Sequence, residues 1–171
     1  EKHKGKTTGW LAYTLSWSDR KFKDINFGNV FPYKYDKRHN ISVIINHKLN
    51  KKINISALWV LSSGTPVTLP NIVYPKAYEY LVDNPLSTIK YYNGRNNYRM
   101  PYYHRLDINI KFYKKKKNGE RYWSFGLFNA YNRKNPFYVK ENIDTDINGN
   151  SGFPVVWLFP ILPEVSYNFT L

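Results

Sequence analysis

The sequence predicts an all-β fold, and within that class a segment of an antiparallel transmembrane β-barrel. Apolar and polar residues alternate with a period of two along much of the chain, which is typical of strands with one apolar and one polar face. The connections between these stretches are alternately short and long, as in outer-membrane barrels. No run approaches the eighteen or more consecutive apolar residues of a transmembrane helix.

Six strands are predicted within one domain that spans residues 1–171. Their approximate bounds are 9–22, 36–49, 52–69, 102–114, 121–140 and 155–171. The fourth strand is the clearest, because RLDINIKFY alternates strictly and places Leu106, Ile108, Ile110 and Phe112 on one face. The fifth is less regular, and the stretch GLFNAYN, where its phase breaks, is a candidate β-bulge.

The other strands carry a comparable apolar face, which we expect to contact lipid. Its members are Leu11, Tyr13, Leu15 and Trp17 in the first strand, Ile41, Val43 and Ile45 in the second, Ile53, Ile55, Ala57, Trp59 and Leu61 in the third, and Val165, Tyr167, Phe169 and Leu171 in the sixth. Aromatic side chains form girdles at both interfaces of such barrels. The candidates are Trp10, Trp17, Tyr122, Trp123, Trp157 and Tyr167.

Six strands are too few to close a barrel. Single-chain bacterial barrels begin at about eight strands, and an open edge in hydrocarbon leaves backbone groups unpaired at several kcal/mol each. We therefore expect the chain to be part of a larger barrel, whose other strands come from elsewhere.

The composition leaves several partners open. The chain has 26 Lys+Arg against 12 Asp+Glu, a formal charge of +14, which suits nucleic acid, an anionic membrane or an acidic ligand. Cysteine is absent, which excludes disulfides and cysteine metal sites. The lysine-rich run KKKKNGER is interpreted as a solvated turn between two strands, because a turn offers no stacking platform, so no nucleic-acid partner is expected.

Five stretches of the sequence, taken in their order along the chain, resemble a known protein family. The chain contains, in this order, GWLAYTLSWSDRKF, YDKRHNISV, WVLSSGTPVTLP, NNYRMPYYHRLDINI and NAYNRKNPFYV. These stretches are similar to the final strands of TonB-dependent outer-membrane receptors. The resemblance implies an outer-membrane barrel of about 22 strands around a plug domain. It also implies import of a scarce ligand with TonB-derived energy, and insertion by the barrel assembly machinery. The family commonly ends on Phe, whereas this chain ends on Leu171.

Three groups of residues are candidates for function. Tyrosine and arginine in a long loop suit ligand capture, since tyrosine gives rigid contact area and arginine binds carboxylate or phosphate. These are Tyr91, Tyr92, Arg95, Tyr98 and Arg99. Arg105 and Asp107 are expected to face the lumen and its plug, and to pair with each other. Val165, Tyr167, Phe169 and Leu171 are the candidate assembly signal of the closing strand.

Other chemistry has weaker support. DTDINGN places Asp144, Asp146, Asn148 and Gly149 at calcium-loop offsets, but Val155 occupies the position that requires a bidentate Glu, which favours an ordinary turn. The four histidines lack metal spacing, and no G-x-S-x-G occurs. We therefore expect no metal, no cofactor and no enzymatic activity. The alternatives are a small outer-membrane barrel enzyme and a soluble basic β protein that binds nucleic acid or glycan.

Overall fold

The computed structural model describes residues 1–75, 88–116, 119–140, 144–145 and 151–169. These residues form an all-β structure, which confirms the predicted class. Six long strands make one sheet: β1 (Thr7–Leu15), β2 (His39–Lys48), β3 (Ile53–Ser62), β4 (Tyr103–Lys116), β5 (Gly119–Phe128) and β6 (Leu162–Phe169). Each strand pairs antiparallel with the next, so the sheet is a meander in chain order. Within the described residues it is open, with β1 and β6 at its edges.

Each predicted strand overlaps one of these strands, but several predicted bounds differ, and β1, β4 and β5 each extend two residues past one predicted bound. The third was expected to reach residue 69 and ends at Ser62; the fifth was expected to reach residue 140 and ends at Phe128. Beyond β5, Asn129 and Asn132 have left-handed backbones (φ of 54° and 53°), which turn the chain. The expected bulge in GLFNAYN is therefore a turn, because β5 pairs with both neighbours in unbroken register.

The long connections contain short strand pairs of their own. Asp19–Arg20 pairs with Phe31–Pro32, Pro66–Val67 with Tyr98–Arg99, Ile72–Pro75 with Thr88–Tyr91, Pro136–Val139 with Val155–Trp157, and Asp144–Thr145 with Ser151–Gly152. A 3-10 turn covers Asn26–Gly28. Among the described residues, no helix is long and apolar enough to cross a membrane.

The register aligns the predicted apolar residues of β1 to β4 and β6 on one face, apart from Trp17, which lies beyond β1, and Leu171, which lies outside the described residues. In one row across β1 to β4, Leu11 lies opposite Val43, Val43 opposite Trp59, and Trp59 opposite Leu106. Rows nearer the short turns continue the pattern into β5 and β6, which add Trp123, Phe125, Leu127, Val165, Tyr167 and Phe169. Two candidate girdle residues are misassigned, since Trp10 and Tyr122 belong to the opposite face.

The distribution of buried and exposed side chains is the reverse of that in the sheet of a soluble protein. Leu11, Val165 and Phe169 on the apolar face are 67%, 59% and 59% exposed. The buried apolar residues of the described chain are Phe31, Leu69 and Met100, whereas buried polar residues are more numerous: Asp36, Ser62, Ser63, Ser124, Asn129 and Asn135. The described chain therefore has little apolar core, and what it has lies in the long loops.

Candidate functional site

The residues of the predicted ligand loop lie on two short strand pairs joined by a turn. Tyr91 ends the strand that pairs with Ile72–Pro75, and Tyr98 begins the strand that pairs with Pro66–Val67. Both tyrosines are about half exposed, while Tyr92 is half-buried. Arg95 is exposed in the turn between them, and its guanidinium lies 5.8 Å from the centre of the Phe31 ring.

Asparagine side chains fix the shape of this turn. The Asn97 amide nitrogen donates to the Leu69 carbonyl at 2.8 Å and to Asn71 Oδ1 at 2.9 Å, and Asn97 Oδ1 accepts from the Leu69 backbone at 2.9 Å. The Asn96 amide donates to the Pro32 carbonyl at 2.7 Å. Because these bonds join three loop segments, the turn is held by the loops around it.

Arg99 differs from the other four candidates, because its donors are already engaged. Its guanidinium forms a 2.5 Å ion pair with the buried Asp36 carboxylate and donates to the Asp36 and Gly64 carbonyls at 3.0 and 2.9 Å. Asp36 also accepts from the Ser18 backbone at 2.9 Å. This geometry makes Arg99 an anchor between loops, and its contact with a ligand stays a prediction.

Phe27 is an exposed loop residue that the sequence reasoning missed. It is 92% exposed and lies in a left-handed conformation (φ of 54°) between Asn26 and Gly28, which are also left-handed. The Asn26 side chain accepts a hydrogen bond from the Arg95 backbone at 2.8 Å, so the turn that carries Phe27 lies next to the tyrosine loop. The Asn-x-Gly pattern predicts a turn, but no local pattern predicts that an aromatic ring projects from it.

Arg105 and Asp107 lie on the face opposite Leu106 and form an ion pair at 2.9 Å. The Arg105 guanidinium stacks 3.9 Å from the centre of the Phe128 ring and donates to the Tyr103 hydroxyl at 3.0 Å. Asp107 accepts from the Asn129 backbone at 2.9 Å, which links the pair to the turn after β5. The predicted pairing is therefore present; whether this face lines a lumen remains a prediction.

Two hollows are bordered in part by polar residues. A hollow of about 310 Å³ near the middle of the sheet is bordered by Asn46, Ser56, Asp107, Asn109 and Glu164, among others. A larger one, about 1100 Å³, lies at the short-turn end and is bordered mainly by lysines and asparagines: Lys48, Asn50, Lys51, Lys52, Asn54, Lys114 and Lys115. The polar face could therefore hold a large polar or acidic segment.

The candidate assembly residues Val165, Tyr167 and Phe169 lie on the apolar face of the edge strand β6. Tyr167 contacts Trp123 with ring centres 4.8 Å apart. Leu171 lies outside the described residues, as do Asp146, Asn148 and Gly149 of the candidate calcium loop.

Three histidines on the strands each contact a hydroxyl group. Nδ1 of His39 lies 2.9 Å from the Tyr13 hydroxyl, Nδ1 of His104 lies 2.7 Å from the Tyr131 hydroxyl, and Nδ1 of His47 lies 2.8 Å from the Thr7 hydroxyl. In the part of the chain that the structure describes, no group of three or more His, Asp or Glu residues is arranged to hold a metal.

Comparison with known proteins gives no assignment, since no family model, no curated protein and no solved structure matches this chain.

Proposed function

We propose that this chain supplies six late strands of the barrel of a TonB-dependent outer-membrane receptor, which imports a scarce ligand. The observation that carries this proposal is an apolar face that continues across all six strands, half-buried on the central strands and exposed toward both edges, while the opposite face is largely polar. Soluble monomers rarely expose so large a contiguous apolar surface. In a lipid bilayer the same surface is favourable, and a sheet pairs its backbone groups internally.

Polar and aromatic residues at both ends of this face support the membrane assignment. Tyr13, His39 and His104 lie at the long-loop end, and Trp123 and Tyr167 lie toward the short-turn end. The eight-residue step from His104 to Phe112 in β4 corresponds to about 27 Å along a strand. A tilt of about 40° reduces this height to about 21 Å, comparable with the roughly 25 Å apolar band of outer-membrane barrels.

The two sheet edges imply the remainder of the barrel as a partner. β1 and β6 each have one neighbour among the described strands. Because unpaired edges are costly in lipid, further strands would pair with both edges and complete a barrel of about 22 strands. The polar face and the two hollows would then line a lumen that contains the plug domain.

The long loops would capture the ligand on the outer side. Tyr91, Tyr92, Tyr98 and Arg95 keep exposed or half-buried side chains on a turn fixed by asparagines, so they can bind with little loss of backbone entropy. Phe27 adds an apolar contact beside them. A siderophore, cobalamin, a glycan or a peptide would each suit this surface. Transport would follow from plug rearrangement driven by TonB, without covalent chemistry.

Cell fractionation and uptake test this function together. We expect the protein that carries this chain to be recovered in the outer-membrane fraction and to shift in electrophoretic mobility on heating. Loss of TonB should abolish ligand uptake while ligand binding at the cell surface persists. Recovery in a soluble fraction without detergent would contradict the membrane assignment, and uptake that persists without TonB would contradict the transport mechanism.

A further inference from the structure

Two cations lie directly opposite each other on the apolar face, at the short-turn end of β4 and β5. Lys114 is the register partner of Arg121, and the next pair on the same face is Phe112 with Trp123. Like charges placed directly opposite on an antiparallel pair destabilise it. An anion between the two side chains would offset this repulsion.

The adjacent pair on the opposite face provides a contrast. Lys115 lies opposite Glu120, with Nζ and Oε1 3.7 Å apart. Among the described residues, no carboxylate lies within ion-pair distance of Lys114 or Arg121. The protein compensates the charge on the polar face and leaves two positive charges together on the apolar face.

The position of the pair indicates which anion fits between the two cations. Lys114 and Arg121 lie one step beyond an aromatic cluster in which Trp123 contacts Tyr167 at 4.8 Å and Phe125 at 6.2 Å. Tryptophan and tyrosine, the residue types of Trp123 and Tyr167, are enriched at the level of the lipid headgroups in membrane proteins. Lysine and arginine extend their apolar stems along such a surface and place their charges in the polar layer beyond it.

We propose that Lys114 and Arg121 together bind the phosphate group of a membrane phospholipid, in the leaflet at the short-turn end of the barrel. A bridging phosphate would remove the repulsion between the two cations, and the planar guanidinium can donate two parallel hydrogen bonds to it. The inference rests on the proposed function, because it requires the apolar face to contact lipid.

Native mass spectrometry of the detergent-purified protein, titrated with phosphatidylglycerol, tests the inference. Lys114→Gln and Arg121→Gln should each reduce the apparent lipid affinity about fivefold. Arg121→Lys should retain more affinity than Arg121→Gln. The matched control is the double variant Lys111→Gln/Lys115→Gln, which removes two positive charges from the opposite face and should leave the affinity unchanged.

Three results would overturn the proposal: unchanged affinity in both single variants, an equal loss in the matched control, or displacement of the lipid by millimolar inorganic phosphate. The heat-induced mobility shift of each variant verifies that it is folded. Spin labels on Ile108 and Asn109 of the same preparation separate the two proposals. If the label at 108 contacts lipid and the lipid affinity of the variants is unchanged, this inference is wrong while the membrane assignment stands. If the label at 108 is accessible to water instead, the membrane assignment itself is wrong.

Discussion

Asp36 connects three loop segments through one buried carboxylate, which is 2% exposed. It accepts hydrogen bonds from the Ser18 backbone and from the Arg99 guanidinium. Asp36→Ala should lower the local opening free energy of these loops by about 3 kcal/mol, because it leaves the Arg99 cation unpaired in a partly buried site. Hydrogen exchange of the amides of residues 18 and 98–100 measures this change.

Arg38 is the matched control, since it lies 3.9 Å from the same carboxylate but is 46% exposed. Arg38→Met should change the opening free energy by less than about 1 kcal/mol. Equal effects of Asp36→Ala and Arg38→Met would contradict the role assigned to the Asp36–Arg99 pair.

Ile108 tests the lipid contact at a single residue, since it lies near the centre of the apolar face, opposite Ala57 and Leu127. Ile108→Arg should cost about 2–4 kcal/mol if the site lies near the bilayer midplane. Asn46→Arg is the control, because Asn46 belongs to the neighbouring row on the polar face. Urea unfolding in lipid vesicles measures both; similar costs for the two variants would argue against a membrane-facing surface.

At the scale of elements, the tyrosine loop has the clearest functional test. Replacing Tyr91 and Tyr92 by Ala should weaken ligand binding and leave the heat stability of the six-stranded sheet unchanged, because neither side chain belongs to that sheet. Tyr113→Ala at the short-turn end is the control and should bind the ligand normally. If affinity and uptake survive the removal of residues 72–98, the loop is not the receptor site.

The strand β6 is the second element with a distinct role. β6 is an edge strand of the described sheet and, in the proposed barrel, pairs with a further strand, so removal of residues 169–171 from the full protein should abolish membrane insertion rather than merely lower activity. A register slip of one residue would turn Glu164, Ser166 and Asn168 toward lipid. If the proposed family assignment holds, Leu171→Phe should assemble equally well or better, because those receptors commonly end on Phe.

The amount of heat-modifiable protein in outer-membrane fractions measures both changes at the C-terminus. Normal folded levels after the three-residue deletion would exclude the closing-strand role.

The strands could be predicted from sequence more reliably than the loop contacts. Period-two alternation depends on neighbouring residues, so it identified the apolar residues of β1 to β4 and β6 and hence the face that they share. Strand ends were less accurate, because β5 ends where Asn129 adopts a left-handed backbone, which asparagine permits but does not require. The role of Arg99 depends on Asp36, 63 residues away, and no local pattern encodes that contact.

At the scale of the whole molecule, the burial of polar and apolar residues is the reverse of that in a soluble protein. Serine and asparagine are buried, as at Ser62, Ser124 and Asn129, while leucine, valine and phenylalanine are exposed on the sheet. In water such a chain would lose the main driving force for folding, which is apolar burial. In the proposed membrane setting, a lipid bilayer would provide that burial, and further strands would provide the missing backbone pairing.

Spin labels attached singly at positions 105 to 112 of the full protein, reconstituted in vesicles, test this central claim most directly. The account predicts alternation with a period of two, with high oxygen accessibility at Leu106, Ile108, Ile110 and Phe112. Labels at the odd positions should be more accessible to a water-soluble relaxant or shielded from both reagents. Uniform accessibility to the water-soluble relaxant on both faces would contradict the membrane assignment of the sheet.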